Sequence, residues 1–130
     1  VFAAGDCAEW QGKVFGIIPA ALEQASVAAA NMAAPDSVEY RGTLPANTLK
    51  VVGVDVTSVG LAVPEKEENY TIIRRADEQM GIYKKFVLKG DILVGFILVG
   101  TARSAATLTS LVKDRKSISA VEEMLDKDLP

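Results

Sequence analysis

The chain opens on an apolar run, Val1-Phe2-Ala3-Ala4, that stops at Gly5-Asp6; after a gap, an alanine-rich stretch runs from Ile17 to Met32 with Pro19 near its start. That order predicts strand, loop and helix. Ala33-Ala34-Pro35-Asp36 closes this first unit, because proline cannot continue a helix and aspartate favours a turn. Further on, Thr48 to Gly60 is rich in β-branched residues and ends on glycine, which predicts one strand with Val52, Val54 and Val56 on a common face. Pro64 to Asn69 is a charged turn. Asn69 to Arg75 predicts a second strand, with Tyr70 and Ile72 on one face, and Tyr83 to Leu88 a third, joined through Ala76 to Gly81.

The strongest local signal is a hairpin. Phe86 to Lys89 and Ile92 to Val99 flank Gly90-Asp91, a pair suited to a tight turn. The second arm is apolar on both faces and is therefore expected at the centre of a sheet. Thr101 to Lys113 places Ala105, Leu108, Leu111 and Val112 at helical spacing, and Ser119-Ala120-Val121-Glu122 reads as a capping box opening a last helix to about Leu125. The expected class is α+β: an antiparallel sheet of about four strands with C-terminal helices, preceded by a separate strand and helix.

Composition narrows the chemistry. At 130 residues and 49% hydrophobic content the chain can bury a core of its own. A net charge of -3 gives no support for nucleic acid or an anionic membrane as partner. The most apolar run, Ile92 to Val99, is too short to span a bilayer, and no basic segment precedes the apolar start as in a signal peptide, so a soluble cytoplasmic protein is expected. With Cys7 as its one cysteine and no histidine, the chain has no internal disulfide, no paired redox cysteines and no histidine-dependent triad or metal site. Asp6 and Glu9 disfavour a thiolate at Cys7, which is read as a packing residue.

Charge is spread unevenly. Residues 36 to 68 hold six acidic and three basic side chains, whereas residues 70 to 103 hold three acidic and six basic: Arg74, Arg75, Lys84, Lys85, Lys89 and Arg103. One side of the sheet is thus expected to be basic. It is read either as an ordinary solvated strand face or as a docking surface for an acidic electron carrier.

Ala4-Gly5-Asp6 at a strand end, followed on the next helix by Ala21, Gln24, Ala28, Ala29 and Asn31, carries a resemblance. The chain resembles the last part of the FAD domain in flavoproteins of the pyridine nucleotide-disulfide oxidoreductase family. That family includes NADH oxidases, NADH:rubredoxin or ferredoxin reductases and the flavin domain of NAD(P)H nitrite reductases. Its members end a strand in Ala-x-Gly-Asp and continue with Ala-x-x-Gln-Gly-x-x-Ala-Ala-x-Asn; Ala25 stands here where they usually have glycine. Thr48 to Gly60 and the glycine-leucine pattern of Gly90, Leu93, Gly95, Leu98 and Gly100 extend the likeness into their small C-terminal domain.

The resemblance implies a C-terminal fragment of an FAD-dependent NAD(P)H oxidoreductase, with residues 1–34 a remnant of the FAD-binding domain and residues 35–130 a small α+β domain. Electrons would pass from NAD(P)H through FAD to rubredoxin, ferredoxin, oxygen or nitrite. Gly5 lacks a side chain, so a ligand can approach the backbone, and the Asp6 carboxylate can accept from a ribityl hydroxyl. Pro19 suits a helix start, and the amides at Ile17 and Ile18 would face the flavin ring, where charge develops on reduction. No catalytic residue and no metal ligand are nominated. The implied partners are an upstream FAD/NAD domain, an acidic electron-carrier protein and a second copy of the chain. The alternative is a non-catalytic module for dimerisation or partner docking.

Overall fold

The computed structural model describes residues 1–117 and 119. The residues from 120 to Leu125, expected to continue a last helix from Ser119, lie outside the described set. Internal packing divides the chain into two units, Val1–Pro45 and Ala46 onward.

The first unit has one regular element, helix α1 (Ile18–Ala33). Ile17 is its N-cap in an extended conformation, and Pro19 lies in the first turn, where its missing N–H removes no helical bond. The helix ends as expected before Pro35-Asp36, with the Ala34 N–H donating to Ala30 O at 2.8 Å and Asp36 at φ 57°. Residues 1–4 form no strand. The apolar run alone does not make one, because a strand is completed by hydrogen bonds to a neighbour, and the unit's described residues supply none. A tight turn at Gln11-Gly12 links Trp10 and Lys13, and the Trp10 ring forms a cluster with Phe15 and Tyr40 at centroid distances of 6.5 and 5.5 Å.

The second unit is a five-stranded antiparallel sheet in the order β1-β2-β5-β4-β3. Its strands are β1 (Ala46–Val51), β2 (Val54–Gly60), β3 (Thr71–Asp77), β4 (Ile82–Lys89) and β5 (Ile92–Val99), followed by helix α2 (Ala105–Asp114). The class is α+β, and β5 is the central strand, flanked by β2 and β4. Helix α2 starts four residues later than the spacing suggested, after Ser104 in a left-handed conformation at φ 64°. Its Leu108, Leu111 and Val112 are buried, and it packs on β2 and β5.

The fifth strand arises where the sequence reads one continuous run. Val52 and Gly53 both have positive φ, 50° and 84°, and fold Thr48 to Gly60 into a hairpin pairing Val51 with Val54. Two consecutive positive φ values define the turn that matches strand twist, and asparagine followed by glycine is its preferred filling. A β-branched residue masks that signal, and at Val52 it is also strained, with its side chain wholly in solvent. Val52→Asn is therefore expected to stabilise the domain by about 1 kcal/mol, read as a higher urea midpoint at unchanged slope. An unchanged midpoint would show that the turn carries no strain.

Register explains the core. Val59 lies opposite Phe96, which lies opposite Phe86, in a row crossing β2, β5 and β4, with Ile73 of β3 beyond. The first three of these are at most 2% exposed. The next residues along each strand point to the other face. There Leu49, Val56, Val99 and Tyr83 form a row that is half-buried or exposed.

The same alternation divides the basic residues. Arg74 lies opposite Lys85 and Arg75 opposite Lys84, so these four cations split two and two between the faces rather than forming one basic side. Lys84 and Lys85 are moreover buried, at 2% and 6% exposure. Glu67, in a short 3-10 turn at Glu67–Asn69 within the charged loop, accepts from Arg74 at 2.8 and 2.9 Å and from Lys85 Nζ at 3.2 Å. The loop thus supplies a counterion to the sheet. Hydrogen bonds from Arg74, then from Lys85, hold the Glu67 carboxyl below the usual carboxylate range.

A lowered folded-state pKa means that the stabilisation is fully present above the unfolded value, about 4.3 for glutamate, and is lost as pH falls through the lower folded value. Urea midpoints measured between pH 7 and 3 are expected to fall below about pH 4.3. In Glu67→Gln the midpoint is expected to be lower at pH 7 and the acid-side slope shallower. An identical pH profile in the variant would show that the acid sensitivity arises elsewhere.

Candidate functional site

Gly5 to Ala8 form a tight turn, in which the Ala8 N–H donates to Gly5 O at 2.9 Å. Gly5 has φ 83°, and a side chain there would make only ordinary contact with Ala21, so the backbone conformation, not lack of space, requires glycine. Its N–H is already engaged, donating to Gln24 Oε1 of α1 at 2.8 Å. Asp6 and Cys7 are the two central residues of the turn and both are exposed. Cys7 is accordingly not a packing residue; its thiol donates to Ala4 O at 3.3 Å at the surface. The Asp6 carboxylate makes no bond among the described residues and is left as an open acceptor.

The start of α1 has the opposite character. Ile17 makes no side-chain cap, no acidic residue stands in the first turn, and the first helical bond is Ala21 N–H to Ile17 O at 3.1 Å. The N–H groups of Ile18 and Ala20 precede that bond as donors with no helical acceptor, while Pro19 contributes none. The Ile17 side chain is half-buried and that of Ile18 is 76% exposed, so their backbone supplies the chemistry. The unit therefore offers a carboxylate acceptor on a turn tied to α1 and amide donors at a helix start.

Three polar side chains on an otherwise alanine-rich helix tie it to the rest of the unit, and of these Gln24 reaches the Gly5 turn. Gln24 holds Gly5. Glu23 Oε2 accepts from Thr43 Oγ1 at 2.7 Å, and Thr43 shares a 2.6 Å hydrogen bond with the Tyr40 hydroxyl. Asn31 donates through Nδ2 to Val38 O at 2.7 Å and accepts from the Val38 N–H at 3.2 Å, as a strand neighbour would. The motif on α1 marks Gln24 and Asn31 without giving them a task. The signal was available: an amide among alanines on a buried helix face needs a partner. A cavity of about 210 Å³ between α1 and residues 2–10 is lined mainly by apolar groups, and its Gln24, Asn31 and Tyr40 are engaged in the bonds just described.

No group of three potential metal ligands occurs among the described residues. No helix among them is long and apolar enough to cross a membrane.

Comparison with known proteins adds four findings. Residues 45–116 match the family described as rubredoxin NAD+ reductase C-terminal domain. The chain is 37% identical over 124 residues to a nitrite reductase [NAD(P)H] of Bacillus subtilis, covering 95% of this chain and 15% of that protein. Its fold matches the crystal structure of NADH:rubredoxin oxidoreductase from Clostridium acetobutylicum at TM-score 0.59 and 26% identity, over 92% of this chain and 30% of that one. It also matches a FAD-dependent pyridine nucleotide-disulphide oxidoreductase from Desulfovibrio vulgaris at TM-score 0.67 and 22% identity, over 96% and 35%. The chain thus spans about a sixth to a third of the proteins it matches.

Proposed function

The chain belongs to the rubredoxin NAD+ reductase C-terminal domain family, and from that premise we propose that it is the C-terminal part of an FAD-dependent NAD(P)H oxidoreductase. On this reading residues 1–34 complete a flavin-binding domain and residues 35–130 form the small domain that follows it. The observation that carries the proposal is the open Asp6 carboxylate on a turn tied to α1. Asp6 accepts from a ribityl hydroxyl, Gly5 supplies the positive φ that the turn needs, and the amides at Ile17 and Ile18 face the pyrimidine side of the flavin ring, where negative charge develops on reduction. FAD, when bound, takes up hydride from the nicotinamide and passes electrons on singly or in pairs. The contribution of this chain is to bind and orient.

The acceptor class is an electron-carrier protein or a nitrite-reducing centre. The names of the rubredoxin oxidoreductase and nitrite reductase relatives support that choice. Arg74 and Lys85 share one sheet face and Arg75 and Lys84 the other, so these four cations do not form one basic docking surface.

The test is the visible spectrum of the full-length protein that this reading requires, before and after adding FAD and desalting. Flavin is expected to be retained, and Asp6→Ala to weaken its binding roughly 10- to 100-fold, the scale of losing a hydrogen bond to a charged acceptor. The 130-residue chain alone is expected to keep no flavin, since it carries one part of the contact set. A full-length protein that takes up no FAD sinks the reading.

A further inference from the structure

We propose that Gln24 is a positioning residue for the Asp6 contact, an inference that rests on the flavin reading above. Gln24 is 7% exposed on an alanine-rich helix, and its Oε1 reaches back 19 residues to the Gly5 N–H at 2.8 Å. The Gly5–Gln24 bond ties the turn's first residue directly to a rigid element. The turn's own bond, Ala8 N–H to Gly5 O, closes the loop but does not fix where it lies against α1. Gln24 does, and with it the direction from which Asp6 meets a hydroxyl.

Chemistry selects glutamine here. The task is to accept one backbone N–H in a buried place, which an amide oxygen does without charge. A glutamate would accept the same N–H but would carry a charge into a buried place. Methionine has nearly the same length and shape without the oxygen, so it leaves the Gly5 donor unpaired.

The experiment compares Gln24→Met, Gln24→Glu and Asn31→Leu with the wild type. Asn31→Leu breaks a clamp of similar kind on the same helix without touching Gly5. Amide hydrogen exchange at Gly5 is followed in the 130-residue chain, and the FAD dissociation constant in the full-length protein. Gln24→Met is expected to accelerate exchange at Gly5 and to raise the FAD dissociation constant about tenfold. Gln24→Glu is expected to keep the protection and most of the affinity, and Asn31→Leu to leave both at wild-type values. Equal loss of affinity in Gln24→Met and Asn31→Leu overturns the inference, because general destabilisation would then explain both. Unchanged affinity in Gln24→Met also overturns it, while flavin loss in Asp6→Ala leaves the flavin reading standing. Wild-type protein that binds no FAD removes the reading and the inference together.

Discussion

Gly95→Ala is expected to cost the sheet domain about 3 kcal/mol or more of stability. Gly95 is buried in central strand β5, opposite Gly60 of β2 and Val87 of β4. An added Cβ would meet the Leu61 carbonyl carbon, sit 2.5 Å from the Leu61 oxygen and lie 2.7 Å from Ala62 N. All three are backbone atoms of the segment that crosses over β5. That segment is itself pinned, because the Leu61 N–H donates to Val94 O at 2.9 Å and the Ala62 N–H to Gly60 O at 3.0 Å. A flexible side chain would swing away from a new methyl group; a hydrogen-bonded backbone on a central strand has nowhere to go. Overpacking usually costs about 1–3 kcal/mol, and a clash with fixed backbone belongs at or above the top of that range, about 3 kcal/mol or more. Against a typical domain stability of about 5–15 kcal/mol, that is a large share. Thermal and urea unfolding of the variant measure it. A melting temperature within about 2 °C of wild type, well below 1 kcal/mol for a domain of this size, would mean that the crossing segment moves freely.

Phe96→Ala is expected to cost about 3–5 kcal/mol, by the opposite route of leaving a hole. Phe96 is wholly buried, with Val59 opposite on one side and Phe86 on the other. Both neighbours belong to strands hydrogen-bonded to β5, so neither can collapse into the space without breaking ladder bonds. Urea denaturation at neutral pH reads the loss. A cost below about 1 kcal/mol would show that the core can close over a missing ring. Gly95 and Phe96 are adjacent, so the double variant is not expected to be additive.

These two positions also give physical content to the glycine-leucine pattern of residues 90 to 100. The three glycines there do different work. Gly90 has open space around it and is needed for its positive φ in the β4–β5 turn; Gly95 is needed for space; Gly100 combines positive φ with close approach to the Gly81 carbonyl. From the sequence Gly90 reads as a turn residue, whereas Gly95 and Gly100 read only as members of a pattern.

The β4–β5 hairpin was legible because its signals are local: two apolar arms and a glycine at the turn, with an arm apolar on both faces marking the centre of the sheet. Helix α1 was legible for the same reason, from its alanine content, Pro19 and the Pro35 stop. The turn at Val52-Gly53 was not, since a valine at positive φ contradicts the local preference by which such turns are recognised. Nor was the split of the basic residues, because charge counted along the chain carries no face; only pairing of β3 with β4 assigns Arg74 and Lys85 to one side and Arg75 and Lys84 to the other.

By itself the sequence determined the α+β class, the central place of β5, the absence of cysteine pairs and histidine chemistry, and the likeness that marks Gly5 and Asp6. Each is a matter of composition, periodicity or a short motif, all fixed by neighbours in the chain. Only the tertiary structure decided that Glu67 from a solvent loop neutralises Arg74 and Lys85, that Leu61 and Ala62 cross directly over Gly95, and that Gln24 holds Gly5. These are contacts between residues 7 to 34 positions apart, and a hydrogen bond or a steric limit acts through space, where sequence order leaves no trace of it.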